Sequence, residues 1–233
     1  MTKEEVCAQI EKIGVVPAIR VSSAEDGRFA AEAVNRGGIP IVEITMTIPS
    51  ACALITDLVR SHPKMIVGAG TVLTTDVARM CVDSGAQFLT APSFNPKLLE
   101  FAAKENIAAL PGALTPTEVV SAWEAGSDFV KVFPCFLVGG ERYIKALKTA
   151  LPSIRLIAAG GVNQQTAEEF IVAGASAIGV GTELIPPEAI ERKQARRIQE
   201  LAQRFRDFVK AGRARLEPLR KAASAPKLVG TEK

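Results

Sequence analysis

The chain has 233 residues, of which 48% are hydrophobic, so it can form one or two domains with a large core; barrels of this size often form a single unit. No run of about 20 uncharged apolar residues is present, which argues against a membrane span. The single histidine argues against a His-rich metal site. The four scattered cysteines form no C-x-x-C pair, and this pattern favours the reduced thiols of a cytoplasmic protein.

The net charge of +3 is unevenly distributed along the chain. Residues 211–233 carry +4, which leaves −1 for the body and argues against a basic nucleic-acid-binding body. The first residues are charged and lack the apolar core of a signal peptide. We therefore expect no nucleic-acid partner and no membrane partner, a catalytic domain over residues 1–212 and a basic flexible tail over residues 213–233.

Predicted strands and helices alternate along the chain. Four strands are predicted from short apolar segments, at residues 15–21, 64–70, 106–112 and 154–160. Four further stretches each end a helical segment at a glycine and lead into another strand, at residues 33–45, 80–92, 122–134 and 170–182. The last predicted element is an amphipathic helix over residues 190–212.

Eight βα units predict a (β/α)8 TIM barrel, an α/β fold. The alternative is an open, doubly wound sheet, but no G-x-G-x-x-G motif follows the first strand.

Equal spacing within the four glycine joints predicts which side chains share the barrel interior. The joint glycines are Gly38, Gly85, Gly126 and Gly174. The residues five positions later are Glu43, Thr90, Lys131 and Gly179. Alternate strands of such a barrel contribute inward side chains to one layer. We therefore expect Glu43 and Lys131 to point into the same space.

Lys131 stands in the middle of the apolar run SDFVKVFPCFLV, where an unpaired ammonium group would be costly. Two interpretations are open. Lys131 and Glu43 could form a structural ion pair, although such pairs often add little stability. Alternatively, Lys131 is a nucleophilic amine that forms a Schiff base with a carbonyl substrate, and Glu43 is its proton shuttle.

Three loops at the carboxyl ends of predicted strands indicate a binding site at that end. Gly160 and Gly161 follow the seventh strand, and Gly181 and Thr182 follow the eighth, where such barrels commonly bind phosphate through backbone N–H groups. Thr71 follows the third strand. Its hydroxyl could bind a substrate carboxylate, or it could serve in a turn and helix cap.

The motifs VEIT at Glu43, GAGTVL at Thr71, KVFP at Lys131, GGVN at 160–163 and GVGT at 179–182 together resemble a known family. They are similar to the 2-keto-3-deoxy-6-phosphogluconate (KDPG) and 4-hydroxy-2-oxoglutarate (KHG) aldolases over roughly residues 5–212. The resemblance implies a class I aldolase that needs no metal and no cofactor. It further implies a small 2-keto acid substrate, a homotrimer, and a cytoplasmic role in the Entner–Doudoroff pathway.

The resemblance assigns Lys131 as the Schiff-base lysine and Glu43 as the general acid/base. Its implied phosphate-binding positions are Gly160, Gly161, Gly181 and Thr182. Its implied substrate-binding positions are Arg20, Thr47, Thr71, Pro92, Phe133 and Ala159. Two of these depart from common members: Thr47 stands where some have an arginine, and Ala159 where a threonine is frequent.

Three other functions are considered. The first is cleavage of 2-keto-3-deoxy-6-phosphogalactonate, because the loss of a hydroxyl at Ala159 puts the preferred configuration at carbon 4 in doubt. The second is a phosphosugar epimerase or isomerase that uses Glu43 as a base. The third is a non-catalytic scaffold with a nucleic-acid-binding tail, against which the paired Lys131 and Glu43 argue.

Overall fold

The computed structural model describes residues 1–224, with side chains up to residue 216. The strands are β1 (Val15–Ile19), β2 (Ile41–Thr45), β3 (Ile66–Gly70), β4 (Phe88–Thr90), β5 (Ala108–Leu110), β6 (Gly112–Ala113), β7 (Val130–Val132), β8 (Leu156–Ala159) and β9 (Ala177–Val180). The helices are α1 (Lys3–Ile13), α2 (Ala24–Arg36), α3 (Ala51–Ser61), α4 (Thr75–Asp83), α5 (Pro96–Lys104), α6 (Pro116–Glu124), α7 (Glu141–Ala150), α8 (Ala167–Val172), α9 (Pro187–Glu191) and α10 (Ala195–Ser224). A short 3-10 turn spans Cys135–Val138.

The strands form one parallel sheet in the order β5-β4-β3-β2-β1-β9-β8-β7-β6. Its two outer strands, β5 and β6, are consecutive pieces of one extended segment that is interrupted at Pro111. Proline has no backbone N–H for the ladder, which explains the interruption. The Pro111 carbonyl still accepts a hydrogen bond from the Lys131 N–H, at 2.8 Å. The sheet therefore closes on itself, and the predicted eight-stranded TIM barrel is confirmed.

The four glycine joints adopt the backbone conformation that the sequence predicts. Gly38, Gly85, Gly126 and Gly174 have φ values of 86°, 95°, 90° and 103°. A residue with a side chain rarely adopts such values, whereas glycine does so at little cost. The same joint therefore turns four helices into four strands at a matching position, which places equivalent strand residues at one level of the barrel.

Helix α1 closes the amino-terminal end of the barrel. Its residues Val6 and Ile10 are buried, and the Lys3 ammonium lies 3.1 Å from the carboxylate of Asp128, just before β7. The opposite end, where the strands deliver their carboxyl termini, is therefore the end at which a ligand can enter.

Helix α10 continues past residue 212, where the sequence analysis expected the barrel domain to give way to a flexible tail. It reaches Ser224, and residues 225–233 lie outside the described residues. Gly212 allows a close approach to α8, since a Cβ on it would lie 2.8 Å from Ile171 Cβ. Beyond it, Arg215 forms ion pairs with Glu168 and Glu169, at 2.7 and 2.6 Å. These contacts, which the tail's composition does not reveal, extend the docked helix.

Arg213 of α10 supplies hydrogen-bond donors to the end of α1. Its guanidinium group donates to the carbonyl groups of Lys12, at 2.6 Å, and Glu11. Both carbonyls belong to the last turn of α1, where acceptors have no partner inside the helix. Arg213 therefore ties the last helix of the chain to the first.

Substitution of Arg213 by alanine should lower the free energy of unfolding by about 1 kcal/mol, because two carbonyl groups lose a charged donor. Arg196→Ala is the matched control on the same helix. The Arg196 side chain is 91% exposed and, among the described side chains, pairs only with Glu200, so its loss should cost less than ~0.5 kcal/mol. Denaturant unfolding followed by circular dichroism measures both. Equal losses for the two variants would contradict the anchoring role.

Candidate active site

The Lys131–Glu43 pair lies inside the barrel. Lys131 belongs to β7 and Glu43 to β2, and the Lys131 Nζ lies 3.4 Å from Glu43 Oε2. The two side chains are 15% and 4% exposed. The equal spacing of the glycine joints thus predicted correctly that these residues share one interior space. The ammonium group in the apolar run is tolerated because a carboxylate compensates its charge.

Residues without bulky side chains make room for this pair. A Cβ atom on Gly70, at the end of β3, would overlap Glu43 Oε1, so only glycine leaves that space to the carboxylate. On the other side of the barrel, a Cβ on Gly179 would lie 3.1 Å from Ala159 Cβ. Small residues at these positions keep the upper layer of the barrel hollow.

A cavity of about 370 Å³ opens above the pair at the carboxyl end of the strands. Nine of the twelve predicted site residues line it: Arg20, Glu43, Lys131, Phe133, Ala159, Gly160, Gly161, Gly181 and Thr182. Six lining residues were not among the predicted site residues: Ala18, Val162, Asn163, Gly179, Glu183 and Ile185. Strand alternation back from Arg20 could have identified Ala18, and the motif GGVN already contained Asn163. For Glu183, only its position directly after Thr182 in the sequence could have indicated that it lines the cavity.

Three predicted residues stand at the same end of the barrel but outside the cavity lining. Thr71 follows β3 and adopts a left-handed backbone with φ of 60°, which is uncommon for a threonine. Thr47 is exposed, and its hydroxyl lies 2.9 Å from that of Thr45. Pro92 follows β4, and its backbone fills the space that a side chain on Gly112 would need. Substrate contact by Thr47, Thr71 and Pro92 remains a prediction.

The loop after β8 is built around two left-handed glycines. Gly160 and Gly161 have φ values of 81° and 85°. The Gly160 carbonyl accepts hydrogen bonds from the Phe136 N–H and the Cys135 thiol, both at 3.2 Å. The Asn163 Oδ1 then accepts hydrogen bonds from the backbone N–H groups of Gln165 and Thr166 in the next turn. The loop is thereby fixed against the turn that follows β7, beside Lys131.

Two cations and two anions line the cavity: Arg20, Lys131, Glu43 and Glu183. Arg20 is exposed and forms no ion pair or hydrogen bond with the residues that the structure describes. Its guanidinium group is therefore available to an anionic ligand. Glu183 adds a negative charge beside Thr182, at the end where the sequence analysis predicted phosphate binding.

Lys131 is the one primary amine among the described residues that line the cavity. The Lys131 Nζ lies 5.9 Å from the centre of the Phe133 ring, which is within the range of a cation–π interaction. The neighbouring Cys135 is buried, and burial raises the pKa of its thiol to about 12, so it stays neutral and unreactive. Among residues 1–224, no group of three or more His, Cys, Asp or Glu side chains is placed to hold a metal ion. The arrangement suits amine chemistry on a carbonyl compound.

Known proteins share both the sequence and the fold. Residues 6–201 match the family described as KDPG and KHG aldolase. A 2-dehydro-3-deoxy-phosphogluconate aldolase from Treponema pallidum (strain Nichols) is 28% identical over 86% of this chain and 95% of its own length. A 2-dehydro-3-deoxy-6-phosphogalactonate aldolase from Escherichia coli (strain K12) is 30% identical over 87% of this chain and 96% of its own length.

A similar solved structure is that of KDPG aldolase from Legionella pneumophila, with pyruvate captured at low pH as a covalent carbinolamine intermediate. It is 30% identical, with a TM-score of 0.79, and the match covers 84% of this chain and 96% of the other. The family match spans most of the chain, and relatives and solved structures agree with it. The chain therefore belongs to the KDPG and KHG aldolase family and is a carbon–carbon lyase.

Proposed function

We propose that the enzyme cleaves KDPG to pyruvate and glyceraldehyde 3-phosphate, and KHG to pyruvate and glyoxylate, through a Schiff base on Lys131. The observation that carries this proposal is the 3.4 Å approach of the Lys131 Nζ to Glu43 Oε2 inside a closed barrel. An amine and a carboxylate at this distance can exchange a proton directly or through one water molecule.

The first half of the reaction forms the Schiff base. Glu43 accepts a proton from the Lys131 ammonium group, and the neutral amine attacks carbon 2 of the substrate to form a carbinolamine. Glu43 returns the proton to the departing hydroxyl group, so that water leaves and an iminium ion remains. The positive nitrogen then withdraws electrons from the bond between carbons 3 and 4.

The second half breaks the carbon–carbon bond. The Glu43 carboxylate takes the proton of the hydroxyl group on carbon 4, the aldehyde forms, and the bonding electrons move into the iminium system to give an enamine. Glu43 returns a proton to carbon 3, and water hydrolyses the resulting iminium to pyruvate and free Lys131. Atoms and charges balance without an external oxidant or reductant.

The anionic groups of the substrate require partners at the cavity rim. We assign Arg20 to one anionic group because it has no other ion pair within the described residues and lines the cavity. The backbone N–H groups of Gly160, Gly161 and Gly181, with the Thr182 hydroxyl, are assigned to the phosphate. The negative charge of Glu183 repels a dianionic phosphate at this position. This repulsion favours substrates whose far end carries less charge, such as KHG.

Family membership also supports proposals about the oligomeric state, the compartment and the pathway of the enzyme. We infer a cytoplasmic homotrimer in the Entner–Doudoroff pathway. A symmetric oligomer is supported by similarity, at 28% identity and a TM-score of 0.82, to a protein cage designed by fusing symmetric oligomeric domains. Exposed apolar residues beside the cavity, Phe136 and Leu137, suit an interface between copies. No helix in residues 1–224 has the length and apolar character needed to cross a membrane.

Borohydride reduction in the presence of pyruvate should inactivate the enzyme irreversibly and add one reduced pyruvyl group to the peptide that contains Lys131. The reason is that an imine, once reduced to an amine, can no longer be hydrolysed. Mass spectrometry of the peptides locates the group. Lys131→Met, which keeps a similar volume, should fold and show no trapping. Labelling at a different lysine, or none in the wild type, would contradict the assignment.

Ala159 should relax the stereochemical preference at carbon 4. A methyl group at this buried position discriminates by shape alone, which is often worth only ~1–3 kcal/mol, whereas a hydroxyl partner rejects the wrong epimer more strongly. Wild type should therefore cleave both the gluconate-derived and the galactonate-derived substrates, and Ala159→Thr should favour one of them. The comparison uses kcat/KM for both epimers. A wild-type preference above about a thousandfold, or no effect of threonine, would remove Ala159 from substrate selection.

A further inference from the structure

Thr90 carries a buried hydroxyl group that has no hydrogen-bond partner among the described residues. Thr90, the last residue of β4, is 2% exposed, and its hydroxyl oxygen forms no hydrogen bond with any residue that the structure describes. A buried hydroxyl without a partner destabilises the folded state, and such groups are rare in proteins. Within the described side chains, Ser127 Oγ is the other buried oxygen in this condition.

The strand register places Thr90 beside the Glu43 carboxylate. Ala69 of β3 pairs with Leu89 of β4, so Gly70 and Thr90 occupy the next level of these two parallel strands. Glu43 Oε1 fills the space that a side chain on Gly70 would take. Adjacent strands lie about 4.8 Å apart. The register therefore brings Thr90 next to the space that Glu43 Oε1 occupies, and no hydrogen bond joins the two groups in this structure.

Alternation along β4 shows that Thr90 faces the barrel interior. The Phe88 ring covers Gly68, which is level with Glu43, so Phe88 points inward. Leu89, the residue between Phe88 and Thr90, faces the outer side of the strand by alternation. Thr90, two residues after Phe88, points inward again. In the strand register it stands level with Gly70, one inward-facing position nearer the carboxyl end than the level of Glu43.

We propose that Thr90 is a positioning residue whose hydroxyl donates a hydrogen bond to Glu43 Oε1 during the reaction. This inference rests on the proposed function. In the free enzyme, Glu43 faces the Lys131 ammonium group, which can donate three hydrogens. Once Lys131 is an iminium, its nitrogen keeps one hydrogen, and the buried carboxylate needs another donor. Thr90 supplies that donor without taking part in any proton transfer.

A role of this kind explains why the unpaired hydroxyl persists. A valine would fill the same space without a polar atom, so packing alone favours the apolar side chain. Proteins retain such local instability where a functional site requires it. A purely structural Thr90 and a positioning Thr90 therefore predict the same rise in stability on removal of the hydroxyl, but different effects on activity.

The test compares Thr90→Val with wild type, using pyruvate as the ligand so that the substrate need not be known. Thr90→Val should raise the thermal midpoint by about 2–4 °C and leave borohydride trapping at Lys131 intact. The maximal rate of exchange of the pyruvate methyl protons in D2O should fall about 10–100-fold, the scale of a hydrogen bond to a charged group. Thr90→Ser should restore most of the rate, because it returns the donor.

Ser127→Ala is the matched control. It removes the other unpaired buried hydroxyl, which precedes β7 at the closed end of the barrel, so it should raise stability and leave the exchange rate unchanged. Wild-type exchange in Thr90→Val, or a failure of serine to restore a lost rate, would overturn the positioning role. Thr90→Ala serves as a second hydroxyl-free variant if valine does not fold. Absence of trapping in the wild type would instead overturn the proposed function, and this inference with it.

Discussion

Pairing of a lysine charge inside a barrel is the constraint on which the rest of this structure depends. An ammonium group surrounded by apolar strands is unfavourable, and a carboxylate at 3.4 Å makes it acceptable. Replacing such a pair by hydrophobic residues is often neutral or stabilising, so stability alone gives no reason to keep it. The proposed function supplies a reason, because an amine that can pass its proton to a nearby carboxylate is ready to attack a carbonyl group.

The surrounding residues follow from this requirement. Gly70 has no side chain, and the Glu43 carboxylate occupies the space that one would fill. On the opposite side of the barrel, Ala159 and Gly179 are small and leave space for the cavity. The left-handed glycines after β8 hold a loop against the turn beyond β7. The barrel therefore has a cavity in one layer, and the tightly packed layers beneath it hold Lys131 and Glu43 in place.

The sequence carried enough information to predict the centre of the site. Gly38, Gly85, Gly126 and Gly174 mark equivalent joints, and counting from each of them identified Glu43 and Lys131 as neighbours. The prediction worked because strand alternation and the regular geometry of an eight-stranded barrel determine which side chains share the interior.

Other features depend on contacts between distant parts of the chain and could not be predicted in the same way. The extension of α10 beyond Gly212 arises from ion pairs with α8. The presence of Glu183 in the cavity depends on how the loop after β9 folds back. The unpaired state of the Thr90 hydroxyl is likewise visible only when all its neighbours are in place.

The most direct test of the central claim is to separate the two roles of the pair in Glu43→Gln. This variant keeps the shape of the side chain and the Lys131 amine but removes the group that accepts and returns the proton. Schiff-base trapping with pyruvate should persist, whereas turnover should fall by roughly 10²–10⁴-fold, the usual scale of general acid–base catalysis. Normal turnover in Glu43→Gln would contradict the account and leave Lys131 and Glu43 as a structural ion pair.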